Sequence, residues 1–464
     1  MNNRSFGLDA LRGFAILTMF LSGLVPFYKN TLPPWMYHIQ VPPPLHKFNP
    51  EIYGISWVDL VFPFFIFAMG AAIPLALNKQ LKKGIPKKKI ILQIVERFFL
   101  LAGFAIYIQH VKPYAISSEP DLHVCIVSLI GFILLFPVLY RLPKEYTSKR
   151  SLLIRILGFI GVISILLYIQ FVFDKTFSLN RSDIIILVLS NIYLVGSILW
   201  LFTPKNLLAR FSVFGVLLAL RLGHSEGSIP GFIWNISPAP WLFNVYFLQY
   251  LFILIPGTLI GDYIIGNNEK CESTGKYGKS FYLYALQMFL FTPLVLFGLY
   301  SRLVTETFVV VILLLAVSYF TLKRIDSETK SFLIKLFLPG AFFLLLGLLL
   351  EPYEGGIRKD SATLSYYFVT GGLAIFALSF FTMLIDYLGR KEFNLLVYNG
   401  QNPMIAYAGI SNLVPPLLGI THVGMLLDLM IISPWMGFIK GVLVMLLLGV
   451  IVMLFTKRKI FLRA

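Results

Sequence analysis

Cysteine is almost missing from this 464-residue sequence, which has only Cys125 and Cys271. That excludes a disulfide-stapled secreted scaffold and a cysteine-built metal site. Charge is scarce as well. Asp, Glu, Lys and Arg make up 13% of the chain, against roughly 25% in soluble domains. Acids are the scarcer sign, 22 against 39 Lys plus Arg, and there are only six histidines. No polar stretch is long enough for a second, soluble domain. A soluble enzyme and a single-anchor protein are both excluded.

What fills the chain is apolar: 58% of its residues, in blocks such as Ile184–Phe202, Phe281–Tyr300 and Phe308–Leu322 that are apolar nearly all round. A helix needs ~20 such residues to cross the hydrocarbon core. The expected fold is all-α, a polytopic transmembrane helix bundle of about 11–14 spans forming one domain over 1–464. The segments 211–221 and 336–350 are short enough to be re-entrant or tilted. Arg4 and Arg12 before an apolar run mimic a signal peptide, but no small-x-small cleavage site follows, so the run is read as a retained helix.

The formal net charge of +17 would suggest nucleic acid in a soluble chain. In a membrane chain it fits the excess of Lys and Arg in cytoplasmic loops. With both termini inside, most basic residues fall on the inner side, and Lys79–Arg97 is the densest stretch. The expectation is a multi-pass protein of the cell's inner (plasma) membrane, partnered by lipids and not by nucleic acid. Cys125 and Cys271 then lie on opposite sides and cannot pair.

In so apolar a chain the out-of-place polar residues carry the information. All six histidines fall in outer loops or at outer helix ends in this topology, where a group titrating near neutrality could handle protons. The first outer loop, Thr31–Trp57, holds Pro33, Pro34, Pro42, Pro43, Pro44 and Pro50, with Trp35, Trp57, His38 and His46 among them. Prolines stiffen it. Its aromatic faces suit a sugar ring and equally suit a membrane interface. A second loop, Gly223–Trp241, repeats the character with Trp234 and Asn235, and the two are expected to form an outer vestibule.

Asp59 enters an otherwise apolar helix, where an acid either caps the helix or serves function, and the roles are compatible. Asp9 and Arg12 form an i,i+3 pair at the inner mouth of the first span. Late in the chain, Tyr398-Asn-Gly400-Gln-Asn402-Pro403 interrupts a span with amides, Gly and Pro. A break at that depth is tolerated where its backbone lines a cavity or is buried.

Together these motifs resemble a known family. Leu8-Asp9-Ala-Leu-Arg12-Gly13, a His-bearing outer loop, Gly54-x4-Asp59-Leu-Val-Phe-Pro63 and the late Gly400-x-Asn402-Pro403-x3-Tyr407 look like the heparan-α-glucosaminide N-acetyltransferase family, in its bacterial branch. The resemblance is specific over 5–80 and present around 398–410. It implies an acyltransferase that passes acetyl from cytoplasmic acetyl-CoA to an amino sugar or glycan across the membrane. Acetyl-CoA is then the acyl-donor co-substrate, no metal is required, and a homodimer is an allowed assembly. The family's essential His precedes the Asp-Leu-Val-Phe-Pro helix, and its counterpart is His46, with His38 as the fallback because a short insertion separates His46 from Asp59. Animal relatives carry Asn late in the first helix, where this chain has Gly23. A sibling O-acyltransferase family keeps a His there, so Gly23 speaks against that sibling.

The chemistry agrees. Acyl transfer from a thioester to an amine needs a base, which His46 oriented by Asp59 would supply, worth ~10²–10⁴-fold. Asn402 is the candidate donor to the oxyanion, and His38, Trp35, Trp57, Trp234 and Asn235 the candidate acceptor-binding residues. A His that itself carries the acetyl group is equally compatible. The rival reading is a secondary transporter of a sugar-like or acidic solute.

Overall fold

The computed structural model describes residues 4–27, 32–140, 148–268, 277–325 and 327–463. Cys271 and Thr31 lie outside the described residues, and Cys125 is buried and free. Among the described residues the secondary structure is helical, with two isolated bridges. We number the principal helices α1 (Phe6–Ser22), α2 (Trp57–Lys82), α3 (Lys87–His110), α4 (Leu122–Ile133), α5 (Ser148–Phe173), α6 (Ile184–Phe202), α7 (Leu207–Gly223) and α8 (Leu251–Asn268). They continue with α9 (Lys279–Tyr300), α10 (Val304–Lys323), α11 (Ser327–Leu350), α12 (Leu364–Phe381), α13 (Asn394–Gln401), α14 (Pro403–Asn412), α15 (Val414–Ile420) and α16 (Pro434–Lys457).

Eleven helices among the described residues are long and apolar enough to cross a bilayer, or up to 12 with the bent pair α14–α15 taken as one span. The chain is a polytopic helical membrane protein. Segment 336–350 is no short span: it completes the 24-residue α11, whose opening turns look polar in sequence because they carry Lys330 and Lys335. Segment 211–221 does lie in a shorter helix, the 17-residue α7. Arg210 there is wholly buried and pairs with Asp262 of α8 at 2.7 Å.

Local sequence starts the helices where expected. Ser5 caps α1, its Oγ accepting from Leu8 N, and Asp183 and Thr363 do the same for α6 and α12. The carboxylate of Asp386 accepts from the backbone N–H groups of Phe6 and Gly7 and from Ser5 Oγ, covering the positive end of α1 from a distant segment.

α2 and α12 run through the middle; 72% and 78% of their spans are buried inside the protein, against 17% for α5 and 28% for α10 and α16. Lipid-like side chains on those outer helices meet solvent hydrocarbon on their free faces. The central helices approach closely through glycine. A Cβ on Gly400 of α13 would collide with the Asp9 carbonyl oxygen of α1, and one on Gly13 with that of Leu396. Such backbone contact needs small residues at the crossing. Hence Gly13 of the opening motif and Gly400 of the late motif form one joint.

Candidate active site

The first candidate site lies at the N-terminus of α2. Asp59 is its third residue and fully buried. Its two oxygens are divided between tasks. Oδ2 accepts from Ser56 N at 2.9 Å and Ser56 Oγ at 3.1 Å, closing a capping box. Oδ1 accepts no hydrogen bond and faces His38 Nε2 at 3.2 Å and Lys359 Nζ at 3.9 Å. Cap and functional partner are thus the same side chain. Tyr366 of α12 donates to the Asp59 carbonyl at 2.8 Å and fixes the helix end from behind.

The histidine that meets Asp59 is His38, not His46, so the expectation that Asp59 orients His46 is corrected. The loop folds back on itself: Asn49 N donates to Gln40 O at 2.8 Å, and the proline turn is closed by His46 N to Pro42 O at 3.0 Å. This sends His38 toward α2 and His46 away. The His46 ring stands 4.6 Å from the ring of Phe27 and 4.8 Å from that of Tyr37, with both nitrogens buried and without hydrogen-bond partners. Sequence distance to Asp59 favours His46; the turn reverses that order in space.

The second wall of the site is the segment 351–363, between α11 and α12. Asp360 Oδ2 lies 3.4 Å from His38 Nε2. Gly54 N donates to Ile357 O at 2.6 Å, and Tyr53 carries the guanidinium of Arg358 on its ring. On its other side the segment is held by Arg221 of α7, which donates to Glu354 Oε1 and to Ala362 O, both at 2.7 Å. Burial pushes the Asp360 carboxyl up, but its hydrogen bond with His38 and the charge of Lys359 prevail and hold it below the usual 3.8. None of Gln40, Lys359 and Asp360 was singled out in the sequence. The available signal was charge density: Glu351, Glu354, Arg358, Lys359 and Asp360 crowd one loop of a charge-poor chain.

The other expected binding residues are not gathered at this point. Trp35 is half exposed, and Trp57 packs on the small cluster of Val25, Leu32, Met36 and Tyr37. Trp234 is buried with His224 and Tyr246 against it, and Asn235 Nδ2 donates to Gly231 O at 3.0 Å within its own turn. Both finish a short helix. Segment 351–363 instead borders the first loop, through Gln40 and Gly54, and α7, through Arg221. Among the described residues no group of three or more His, Cys, Asp or Glu is arranged to hold a metal ion.

The second candidate site is at the opposite, basic end of the bundle. Arg12 is 3.5 Å from Asp9, which also pairs with Arg4. Its guanidinium donates to Gly400 O at 3.0 Å and to Ala68 O at 3.2 Å, so the motif pair fastens α1 to α13 and α2. Asn402 is here too, and its expected place beside the histidine is corrected. Its Nδ2 donates to Ile460 O at 2.7 Å and its Oδ1 accepts from Leu462 N at 3.4 Å, spending the amide on the C-terminal segment. Ala68 is nine residues beyond Asp59 on α2, ~14 Å along the axis. The break at Asn402 leaves its freed amide groups buried, as hydrocarbon depth requires.

A cavity of about 710 Å³ opens at this end, lined by Arg4, Arg12, Arg97, Arg155 and Arg463 with Gln80 and Gln93. A narrower cavity of about 170 Å³ shares Arg12 and Arg97 and runs deeper, past Met69, Tyr193 and Tyr407 to Phe65. Arg97 lies over the Tyr193 ring at 4.4 Å with its Nε buried and unbonded. Phe65 is six residues from Asp59, ~9 Å along α2. The smaller cavity is the more apolar of the two and ends at the level of Phe65 on α2.

The fold and these two sites define a multi-pass helical membrane protein. The chain belongs to the family described as a domain of unknown function (DUF5009), whose model matches residues 4–264. It is also similar to heparan-alpha-glucosaminide N-acetyltransferase of Mus musculus, 42% identical over 55 residues. That match covers 12% of this chain and 8% of the mouse protein, a distant family link.

Proposed function

We propose that this protein is a membrane acyltransferase that takes acetyl-CoA at its basic end and acetylates the amino group of a sugar or glycan at its histidine end. The observation that carries the reading is the arrangement along α2: His38 with Asp59 at one end, and at the other an arginine-lined cavity whose narrower neighbour extends to Phe65, ~9 Å from Asp59 along the helix axis. Polyanionic phosphates suit Arg4, Arg12, Arg97 and Arg155, and a long thin pantetheine arm suits the narrow passage. The similarity to a membrane N-acetyltransferase points to the same reaction class.

In this reading His38 replaces His46 as the proton-handling residue. Asp59 and Asp360 are both acids and Lys359 is the cation between them, so the site carries a net negative charge while His38 is neutral. That attracts an ammonium, and Asp59 Oδ1, which accepts no hydrogen bond, is the open acceptor for the proton the amine sheds. Lys359 faces the oxyanion that develops on the thioester carbon, the role first expected of Asn402. The amine nitrogen bonds to the thioester carbon as the carbon–sulfur bond breaks; the proton shed by nitrogen passes through the Asp59–His38 pair to the departing sulfur, which leaves as the free thiol. Positive-inside bias puts the basic end and both termini in the cytoplasm of a plasma-membrane protein.

The test is release of free thiol from acetyl-CoA by the purified protein, dependent on glucosamine-type acceptors, with the acetylated product identified by mass spectrometry. The rival, a secondary transporter, draws on the broken helix α13–α15, with its 44° bend between α14 and α15. Acceptor uptake into proteoliposomes, with no thiol release from any acyl-CoA, would establish the transporter instead.

A further inference from the structure

We propose that Asp360 is a positioning residue of the histidine site, carried there by Gln40, and that it holds the His38 ring through its Nε2 proton. This rests on the reading of His38 as the proton-handling group. Gln40 is wholly buried and stands two residues after His38. Its backbone N–H donates to His38 Nδ1 at 3.0 Å. A backbone N–H can only donate, so Nδ1 presents its lone pair and the neutral ring carries its single proton on Nε2. That proton faces Asp360 Oδ2 at 3.4 Å and Asp59 Oδ1 at 3.2 Å.

The Gln40 side chain meanwhile grips residue 360 from both sides. Its Oε1 accepts from Asp360 N at 3.0 Å, and its Nε2 donates to Asp360 O and to Pro50 O. A buried amide with both ends bonded is a fixed strut between segments 320 residues apart in sequence. The strut holds backbone only, so any residue at 360 that keeps its N–H would satisfy it. An acid at the tip is therefore not needed for the loop's seat, and its aim at Nε2 is a separate feature.

The acids facing His38 come from two elements, Asp59 of α2 and Asp360 of segment 351–363, and Lys359 stands 3.9 Å from Asp59. Tyr250 and Tyr366 stand behind, within electrostatic reach of Asp360. Asp59 Oδ1 lies 3.2 Å from His38 Nε2 but accepts no hydrogen bond, and Asp360 Oδ2 lies 3.4 Å from the same nitrogen. The ring is thus bonded by Gln40 on one nitrogen and flanked by two acids on the other, of which Asp360 is the one whose backbone the Gln40 side chain holds.

The experiment uses the full-length protein labelled with ¹⁵N-histidine and reconstituted in lipid. The His38 signals are assigned by their loss in His38→Gln. Magic-angle-spinning spectra should show His38 with unprotonated Nδ1, protonated Nε2 and a strongly downfield N–H proton. In Asp360→Asn, which keeps both backbone bonds to Gln40, that proton should move upfield; Asp360→Glu should restore it. Gln40→Leu, which releases the strut but keeps the acid, should give the same upfield movement. Where the wild type transfers acetyl, Asp360→Asn should lower kcat ~10-fold with KM for acetyl-CoA unchanged, the scale of one hydrogen bond to a charged group. A wild type without transfer but with the expected spectra would sink the transferase reading and support the Asp360–His38 bond. An Asp360→Asn spectrum superimposable on the wild type would overturn the inference whatever the transfer assay gives.

Discussion

The two ends of α2 solve opposite problems. At the histidine end, polar groups are few and held in place: Ser56 and the distant Tyr366 fix the buried Asp59, and Gln40 fixes the part-exposed Asp360 from 320 residues away. At the basic end, arginines line a cavity of about 710 Å³: Arg12 is tied by backbone carbonyls on two helices, Arg4 pairs with Asp9, and Arg155 with Glu96 of the same lining. A rigid cluster sets proton positions; a roomy basic mouth accepts a flexible anion. The difference teaches that affinity and chemistry are separable here, because ~14 Å of α2 lies between the Asp59 and Arg12 levels.

Substitutions at each end should therefore change different constants. The largest effect is expected from His38→Ala: at least ~100-fold slower acetyl transfer, the low end for loss of a proton-transfer group, with acetyl-CoA binding intact by calorimetry. Equal loss of binding would show that the ends are not separate. Next, Arg97→Gln should raise KM for acetyl-CoA ~10-fold, on the scale of a charge-assisted contact, while kcat changes little; a fall in kcat alone would move Arg97 into the chemistry.

A smaller effect concerns pH. Asp360 titrates below its ordinary 3.8 in the folded protein, so the stability it lends to segment 351–363 is complete above that value. It is lost as pH falls through the lower, folded value. Amide hydrogen exchange of residues 357–363, corrected for intrinsic rate, should stay flat down to the ordinary carboxylate range and rise only below it. A rise near neutrality would mean that the carboxylate does not hold the segment. The smallest effect is expected from His46→Ala, less than ~3-fold on transfer, since its nitrogens reach no partner and no acid. Its contribution is packing against Phe27 and Tyr37, so a modest loss of thermal stability should appear instead. Strong loss of transfer with His46→Ala and none with His38→Ala would exchange the two residues.

Composition and hydropathy alone determined that this is an all-helical, multi-pass membrane protein, because hydrocarbon admits few charges and makes each helix satisfy its own backbone. The interrupted span at Asn402-Pro403 and the cap at Asp59 were equally legible, since proline chemistry and capping are local. Tertiary structure alone decided which histidine Asp59 meets. The choice turns on a proline-rich loop doubling back between Gln40 and Asn49, a reversal that spacing along the chain does not encode. It also decided that Gly13 and Gly400 are one joint, and that Asp360, 322 residues after His38, completes the site. Contacts of that range depend on how whole helices pack, and helix packing is set by all the side chains at each crossing together, not by any motif read alone.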